Sequence, residues 1–256
     1  MMHARQNGLS LVELMIAILV SSLLLAGVVQ VMLAKKDTYT FQQAQSQVQE
    51  NSRFSMTFLE DILEKTGFRQ MPQTTKLFVY KQKGASSDCA TFDPGQVIAA
   101  SKTGTGICIR YQEVVADDVD CTGEPIGVAA DLNAPGYEEP VIERIYYNDA
   151  TNELLCGRDG SDAFPLVSDI EDFSLRYGID SNNDRVADKY VTAPASGDWM
   201  KIVSLRFDVL TVAPGNINTT PQVFRFPLDA ATDTTASDAR IYRVATQTIA
   251  LKNIVL

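Results

Sequence analysis

The N-terminal part of the chain carries one long apolar run. Between Leu9 and Leu33 the only charged residue is Glu13, whereas residues 1–8 are mostly polar and end in Gly8. At about 1.5 Å per residue, residues 9–33 are long enough to cross a hydrocarbon core of roughly 30 Å. A secretory signal would place a small-residue cleavage site after its apolar run. The pattern therefore predicts a membrane-spanning helix over residues 9–33, and any cleavage, which would make residues 1–8 a leader peptide, falls before this helix.

A helical spacing of apolar residues continues beyond this run. Residues 34–66 are largely polar and contain no proline, and apolar side chains recur there at the period of a helix. One face of this segment carries a stripe, formed by Phe41, Ala44, Val48, Ser55, Phe58, Leu59, Ile62 and Leu63. Gly67 follows, and glycine commonly ends a helix. We therefore expect one long helix, whose amphipathic half, residues 34–66, packs on a head domain.

Residues 67–256 have the pattern of strands. Short β-prone runs are separated by Gly, Pro, Asn and Asp, at residues 77–81, 106–114, 141–148, 153–157, 173–179, 201–212, 222–226 and 241–251. In the sixth of these runs Leu205 and Phe207 alternate with Arg206 and Asp208, as in a strand with one buried face. The polar segment 229–240 predicts an exposed loop. The expected fold class is α+β, a long N-terminal helix packed on an antiparallel β-sheet head.

Composition narrows the possible functions. The chain has 256 residues, 45% of them hydrophobic, and a formal net charge of −10. This size supports one substantial core, and the negative charge disfavours nucleic acid as a partner. The only histidine is His3. The acidic residues are scattered along the chain and form no recognisable pair of a general acid and a general base. We therefore expect no catalytic site of the histidine-dependent kinds and no enzyme activity.

The cysteines favour an oxidising compartment. Cys89, Cys108, Cys121 and Cys156 lie outside any CxxC motif, and their even number suits two disulfides. Three connectivities are possible, of which the sequential one is favoured. Each bridge would stabilise a loop-rich head by about 2–4 kcal/mol.

One loop has the spacing of a calcium ligand set. In DSNNDRVAD, Asp180, Asn182, Asp184 and Asp188 stand at the first, third, fifth and ninth positions of a calcium loop, with the Val186 carbonyl at the seventh. Arg185 stands where such loops prefer glycine, and Val191 replaces the bidentate glutamate expected at the twelfth position. The alternative is a solvated Asn/Asp turn without metal. No other cofactor is indicated.

Glu13 also has two interpretations. A carboxylate at the centre of a membrane helix costs about 2.5–3.5 kcal/mol. Near the membrane surface, at the positive end of the helix dipole, Glu13 would be tolerated without any further role.

The second interpretation comes from a resemblance. Gly8 followed by LSLVELMIAILV resembles the processing signal of type IV prepilins and pseudopilins, although Leu9 stands where phenylalanine is usual. The resemblance implies cleavage between Gly8 and Leu9 by a prepilin peptidase and N-methylation of Leu9. It also implies that Glu13 pairs with the terminal amine of an adjacent subunit during assembly.

The head resembles one branch of this superfamily. The segment IEDFSLRYGID, the Asn/Asp-rich loop after it and the closing run ARIYRVATQTIALKN are similar to the PilW family of minor pilins. The matching residues are Ile170, Glu171, Asp172, Arg176, Tyr177, Gly178 and Asp180, with Lys252 where arginine is common.

The resemblance implies a location and a set of partners. The helix would lie in the inner membrane with the head in the periplasm, in keeping with Arg5 on the cytoplasmic side, before the subunit joins the pilus fibre. The expected function is a minor pilin in a tip complex that primes pilus assembly. The expected partners are other minor pilins, the major pilin, the prepilin peptidase, the inner-membrane assembly platform and a tip adhesin.

Three alternatives stay open at this point. A GspJ-like pseudopilin of a type II secretion system has a similar size, helix and head. A membrane-tethered periplasmic enzyme or binding protein would need a concave site in the head. A DNA-uptake pilin would need a basic patch, which an acidic head does not favour.

Overall fold

The first element is a long helix. The computed structural model describes residues 10–114, 118–126 and 139–254. Helix α1 runs without interruption through Leu11–Lys65. Its N-terminal part is exposed, and by length and composition it is sufficient to cross a membrane. The chain divides after Gln45 into two compact units, residues 1–45 and 46–256.

In the second unit, α1 buries one face. Most of the predicted stripe within this unit is buried, namely Val48, Ser55, Leu59, Ile62 and Leu63, while Phe58 is half-buried. Phe41 and Ala44 belong to the first unit, and Phe41 is exposed. Just beyond the helix Gly67 has a φ of 75° and donates its N–H to the Arg110 carbonyl at 3.0 Å. A positive φ is accessible to glycine without a steric cost, which explains why the helix stops there.

A five-stranded antiparallel sheet follows. A short helix, α2 at Lys76–Val79, precedes it. The strands are β1 Ile98–Ala100, β2 Thr105–Tyr111, β3 Val141–Asn148, β4 Glu153–Arg158 and β5 Phe164–Val167. They lie side by side in the order β1-β2-β3-β4-β5.

The second sheet has four strands. The remaining strands are β6 Ile170–Ile179, β7 Lys189–Val191, β8 Ile202–Val212, β9 Val223–Phe224, β10 Thr234–Thr235 and β11 Tyr242–Ala250. The sheet has the order β11-β8-β6-β7, while β9 and β10 form a separate two-stranded sheet. Every pairing in this sheet is antiparallel. One short 3₁₀ turn, Trp199–Lys201, precedes β8, and a second, Lys252–Ile254, follows β11.

The main core joins α1 to both sheets. Leu63 of α1, Ile109 of β2 and Phe207 of β8 belong to one cluster of buried side chains. A smaller cluster lies on the other face of β8 and β11, where Leu210, Val212, Ala236 and Tyr242 meet. Because side chains alternate along β8, Arg206 and Asp208 share this second face. The sequence pattern predicts only one buried face for this strand, but Asp208 is also buried, at 0% exposed, because the cluster and β11 cover the second face. The fold class is α+β.

One predicted strand is wrong. Residues 77–81 contribute instead to α2 and the residues after it. The run is β-prone, but Val79 and Tyr80 are buried, and the Tyr80 hydroxyl donates to the Phe68 carbonyl at 2.5 Å. Tertiary contacts override a weak local preference in so short a segment. The sequence also missed β1, β5, β7 and β10, none of which exceeds four residues.

Both disulfides belong to the five-stranded sheet and its flanking loops. Cys89 is bonded to Cys108 of β2, and Cys121 is bonded to Cys156 of β4. This is the sequential connectivity that the sequence favours. Bridges of this kind stabilise by restricting the unfolded chain.

Candidate functional site

The predicted processing site is described only in part. Gly8 and Leu9 lie outside the described residues. Glu13 lies in the first turn of α1, and the Leu14 N–H donates to the Ser10 carbonyl at 3.1 Å. Glu13 has no ion-pair partner within the part of the chain that the structure describes. A carboxylate at this end of a helix is favoured by the helix dipole and is free to bind a cationic group.

The segment that resembles PilW forms β6, and its first residues build a charged cluster. The register with β8 shifts between Ile170 and Asp172, so Glu171 is the extra residue of a bulge. Its carboxylate lies 3.0 Å from an Arg240 nitrogen, and the same nitrogen donates to the Tyr242 hydroxyl at 2.9 Å. The bulge therefore directs Glu171 toward the end of the segment 229–240 that the sequence predicted as a loop.

A second cluster lies further along β6 and involves two arginines. Arg176 and Arg206 are direct partners across β6 and β8, which places like charges opposite each other. Asp229 bonds to Arg176 and lies 3.8 Å from the Arg206 guanidinium. Partial burial works against ionisation, but hydrogen bonding and the two positive charges outweigh it and lower the pKa of Asp229. One carboxylate from a distant loop thus attracts both arginines and offsets one of their two positive charges.

The next two residues of the motif have packing roles. Tyr177 is buried and meets the Trp199 ring edge-on, with 5.3 Å between the ring centroids. Gly178 faces Ser204, and a Cβ at this position would lie 2.9 Å from the Ala187 Cβ and against the Ser204 hydroxyl. A side chain at residue 178 would therefore force the neighbouring strands apart.

The predicted calcium residues converge after β6. The Asp180 carboxylate accepts the backbone N–H groups of Asn182, Asn183 and Arg185 at 3.1, 2.6 and 2.8 Å. Burial works against ionisation, but these N–H groups outweigh it and lower the pKa of Asp180. Asp188 accepts the Ser181 N–H at 2.7 Å. The loop is therefore wound around two of its own carboxylates.

The Asn182 amide lies between the carboxylates of Asp184 and Asp188. Its nitrogen donates to Asp184 at 3.1 Å and to Asp188 at 3.4 Å. The Val186 N–H donates to Asp184 at 2.8 Å, and the Val186 side chain points to solvent. Carboxylate and amide oxygens are the ligands that calcium prefers, so the donor set fits this ion chemically. The Asn182 side-chain oxygen accepts the Asp184 N–H at 2.9 Å.

Arg185 shows why such loops prefer glycine. Its φ is 73°, in the left-handed region that side chains other than glycine rarely adopt. The chain therefore makes the sharp turn of a calcium loop without the residue best suited to it.

The closing segment of the chain fastens α1. Gln247 of β11 donates to Glu60 at 2.8 Å, Lys252 pairs with Glu64 at 2.7 Å, and Asn253 donates to the Glu64 carbonyl at 2.7 Å. The hydrogen bond and charge of Glu64 raise the pKa of Lys252. The position at which PilW proteins commonly carry arginine is thus a contact between the end of the chain and the helix.

One buried acid was not predicted. Glu143 of β3 is 1% exposed and accepts the Tyr111 hydroxyl at 2.8 Å and the Cys121 N–H at 2.9 Å. Burial raises the pKa of Glu143, and the two hydrogen bonds oppose this only partly. Glu143 also lies beside Cys121 and Cys156, but their disulfide removes both thiolates as metal ligands. This cluster is therefore structural rather than a metal site.

Sequence reasoning also missed Arg206 and Asp229. Arg206 stands among the polar positions of β8, so its place on the outer face could be predicted, but its pairing with Arg176 depends on the register. Asp229 joins them from a segment of low complexity with no periodic signal. Neither residue is identifiable without the structure.

Comparisons with known proteins match both ends of this layout. The prokaryotic N-terminal methylation motif covers residues 3–29, and the family of type IV pilus-assembly protein W covers residues 133–253. The second match takes in β3 through β11, and thus the whole four-stranded sheet. Among curated proteins no match was found. Among solved structures, a type IV-like pilin from Thermus thermophilus is similar at 12% identity and a TM-score of 0.44, over 81% of this chain and 98% of that one.

The two family matches fall where the residue arguments place them, one on the apolar start of α1 and the other on the β6 motif and the closing strand. The chain thus carries a prokaryotic N-terminal methylation motif and, over residues 133–253, a region similar to the family of type IV pilus-assembly protein W.

Proposed function

We propose that this protein is a minor pilin that joins a complex at the tip of a type IV pilus and primes assembly of the fibre. The observation that carries the proposal is the methylation motif at residues 3–29, which runs directly into a helix that continues without a break to Lys65. The PilW region in the head supports the minor-pilin branch. The family points to a structural protein, and its work would be binding rather than catalysis.

The proposed maturation begins in the inner membrane. A prepilin peptidase cleaves after Gly8, Leu9 becomes the methylated N terminus, and the head lies in the periplasm. Glu13 then pairs with the terminal amine of a neighbouring subunit as the helix leaves the lipid. In water such a pair gains about 1 kcal/mol at 4 Å, and it gains more in a fibre core where water is excluded. The partners are other minor pilins, the major pilin, the assembly platform and an adhesin displayed at the tip.

Deletion of the gene tests the function. We expect a strong loss of surface pili and twitching, with type II secretion unchanged. A secretion defect in cells with normal pili would favour the GspJ-like pseudopilin instead. The distinction needs no purified protein, because pili are counted by electron microscopy and secretion is measured from enzymes in the medium.

Two substitutions test the processing steps separately. Gly8→Leu should leave the leader attached, which is visible as a heavier band on a gel. Glu13→Gln should be cleaved normally yet fail to enter pili, whereas Glu13→Asp, which keeps the charge, should retain partial incorporation. Cleavage of the Gly8→Leu variant would refute the leader assignment.

Calcium binding by the 180–188 loop is a second proposal. The supporting observation is that Asp184 and Asp188 both converge on the Asn182 amide. Titration of the full chain in detergent with calcium chloride should give a saturable heat that Asp184→Ala abolishes. Asp233→Ala, in an exposed loop outside the site, is the matched control and should leave the heat unchanged. If both variants give the same heat, the loop does not bind calcium and is an Asn/Asp turn.

A further inference from the structure

The sheet edges of the head are protected unequally. Exposed strand edges invite pairing with other chains, and proteins commonly protect them with short strands, proline, charge or bulges. β1 and β7 have three residues each, and β7 begins with Lys189. β5 contains Pro165, and its register with β4 shifts. By contrast β11 has nine residues, no proline and an unbroken register with β8.

The outward backbone groups of β11 can be assigned from its ladder. Ala213 donates to the Ile241 carbonyl and Leu251 donates to the Val203 carbonyl, each at 2.9 Å. In an antiparallel pair the bonded positions alternate, so the odd-numbered residues of β11 bond to β8. The N–H and C=O groups of the even-numbered residues therefore point away from the sheet. These residues are Tyr242, Val244, Thr246, Thr248 and Ala250.

One of these positions is already paired in the manner of an added strand. The Gln222 side chain accepts the Tyr242 N–H at 3.0 Å and donates to the Tyr242 carbonyl at 2.8 Å. This single amide reproduces both bonds that a neighbouring strand would make. Within the described residues, no strand or bridge pairs with the edge beyond it, from Val244 to Ala250. Thr248 and Ala250 are exposed there.

The charge on this edge indicates the kind of segment it would take. Arg243 is exposed and has no ion-pair partner among the described residues. The strand itself contains no acidic residue. A carboxylate in an added strand opposite Arg243 would complete the pair.

We propose that the edge of β11 from Arg243 to Ala250 accepts an extended acidic segment of a different pilin-like subunit as a further strand of the sheet. This inference rests on the proposed function, which supplies such neighbours. Main-chain hydrogen bonds would provide the affinity, and the carboxylate opposite Arg243 would provide selectivity. A second copy of this chain fits less well, since its own β11 offers no carboxylate and both copies carry a net charge of −10.

The test uses the direction of the Thr248 N–H. Thr248→Pro removes a donor that points outward and leaves every bond to β8 in place, because proline is tolerated where its nitrogen faces away from the sheet. Thr248→Ala changes the same side chain and keeps the donor. Both variants are expressed in the deletion strain, and their folding is checked from the unfolding midpoint of the full chain in detergent.

A photoreactive amino acid at Val244 identifies the occupant. It is placed in the Thr248→Ala and Thr248→Pro chains, cells are irradiated during pilus growth, and the adduct is identified by mass spectrometry. We expect the adduct to be another pilin-like subunit joined through an acidic segment. Loss of one interfacial hydrogen bond should lower its yield about tenfold in the proline variant. Arg243→Glu should lower it similarly, while Arg243→Lys should not.

The outcomes separate this inference from the proposed function. If deletion abolishes pili and Thr248→Pro restores them as well as Thr248→Ala does, the edge is not used, although the minor-pilin function stands. An adduct with a second copy of this chain, or no adduct from a folded chain, overturns the proposal as well. If deletion leaves pili normal, the proposed function itself fails.

Discussion

The Arg176 and Arg206 pair leads to a prediction about Asp229. Asp229→Asn removes the charge and nearly preserves the shape of the side chain. The two arginines would then face each other across β6 and β8 with no neutralising group, while their Nε atoms are already buried without a hydrogen-bond partner within the described residues. The variant should therefore destabilise the four-stranded sheet.

The magnitude follows from distance and exposure. The arginine side chains are 20% and 23% exposed and Asp229 is 38% exposed, so the site is neither dry nor fully solvated. At 3.8 Å and an effective dielectric constant of about 40, Arg206 attracts Asp229 by about 2 kcal/mol, of which desolvation and ordering cancel roughly half. The direct bond to Arg176 contributes about 1 kcal/mol more. We expect a loss of about 2 kcal/mol.

The assay is urea unfolding of the full chain in detergent, followed by tryptophan fluorescence. Trp199 is the only tryptophan, and it packs on Tyr177, the residue after Arg176. Asp233→Asn is the control, because its bond to Arg225 has both side chains about half exposed. That pair should contribute no more than about 0.5 kcal/mol.

Two further measurements make the reasoning refutable. Arg206→Gln should destabilise the wild-type chain but stabilise the Asp229→Asn chain, because in the second case it removes a repulsion. Since the pKa of Asp229 is lowered in the folded chain, its contribution is present above the unfolded pKa and lost as the pH falls through the folded value. Equal losses for Asp229→Asn and Asp233→Asn, or no change of sign for Arg206→Gln, would refute the explanation.

Three other substitutions have defined outcomes. Arg185→Gly should raise the unfolding free energy by about 1 kcal/mol, because it relieves a left-handed residue; a loss of stability would show that Arg185 makes a contact that matters more. The pKa of Glu143 is raised above its ordinary value of 4.5, so stability should fall as the pH rises from that value through the folded pKa. Glu143→Gln should flatten this dependence in thermal unfolding between pH 4.5 and 8, and an unchanged slope would contradict the assignment. Gly178→Ala should lower the free energy of unfolding by about 1–3 kcal/mol through overpacking against Ser204. An unfolding midpoint at the same urea concentration as the wild type would contradict this and show that the strands adjust to the added methyl group.

The periodicity of apolar residues along the chain was sufficient to predict the long helix and the long strand β8. The apolar run and stripe predict α1, and the alternation of Leu205 and Phe207 with Arg206 and Asp208 predicts β8, although it gave no sign that Asp208 is buried as well. The run at 77–81 failed because Tyr80 is held by the distant Phe68 carbonyl, which no local pattern encodes. Short strands such as β1 and β7 are formed by pairing, since three residues have no measurable period.

The site was predictable only where its residues are close in sequence. Asp180, Asn182, Asp184 and Asp188 lie on one loop, so their spacing alone brings them together. The pairing of Arg176 with Arg206 requires the register of β6 on β8, and Asp229 lies 53 residues beyond Arg176. The edge of β11 is likewise a property of strand order, which the sequence did not specify.

The location of the two disulfides has a consequence for how the head matures. Both bridges close within residues 89–156, whereas the four-stranded sheet begins at Ile170 and receives its last strand from the end of the chain. As the chain emerges from its N terminus, the first sheet can be sealed covalently before β6 exists. Oxidation therefore need not wait for the second sheet. In a chain that has emerged only in part, the five-stranded sheet would already be cross-linked while the four-stranded sheet is still incomplete. The side that carries the β11 edge is the last to be completed.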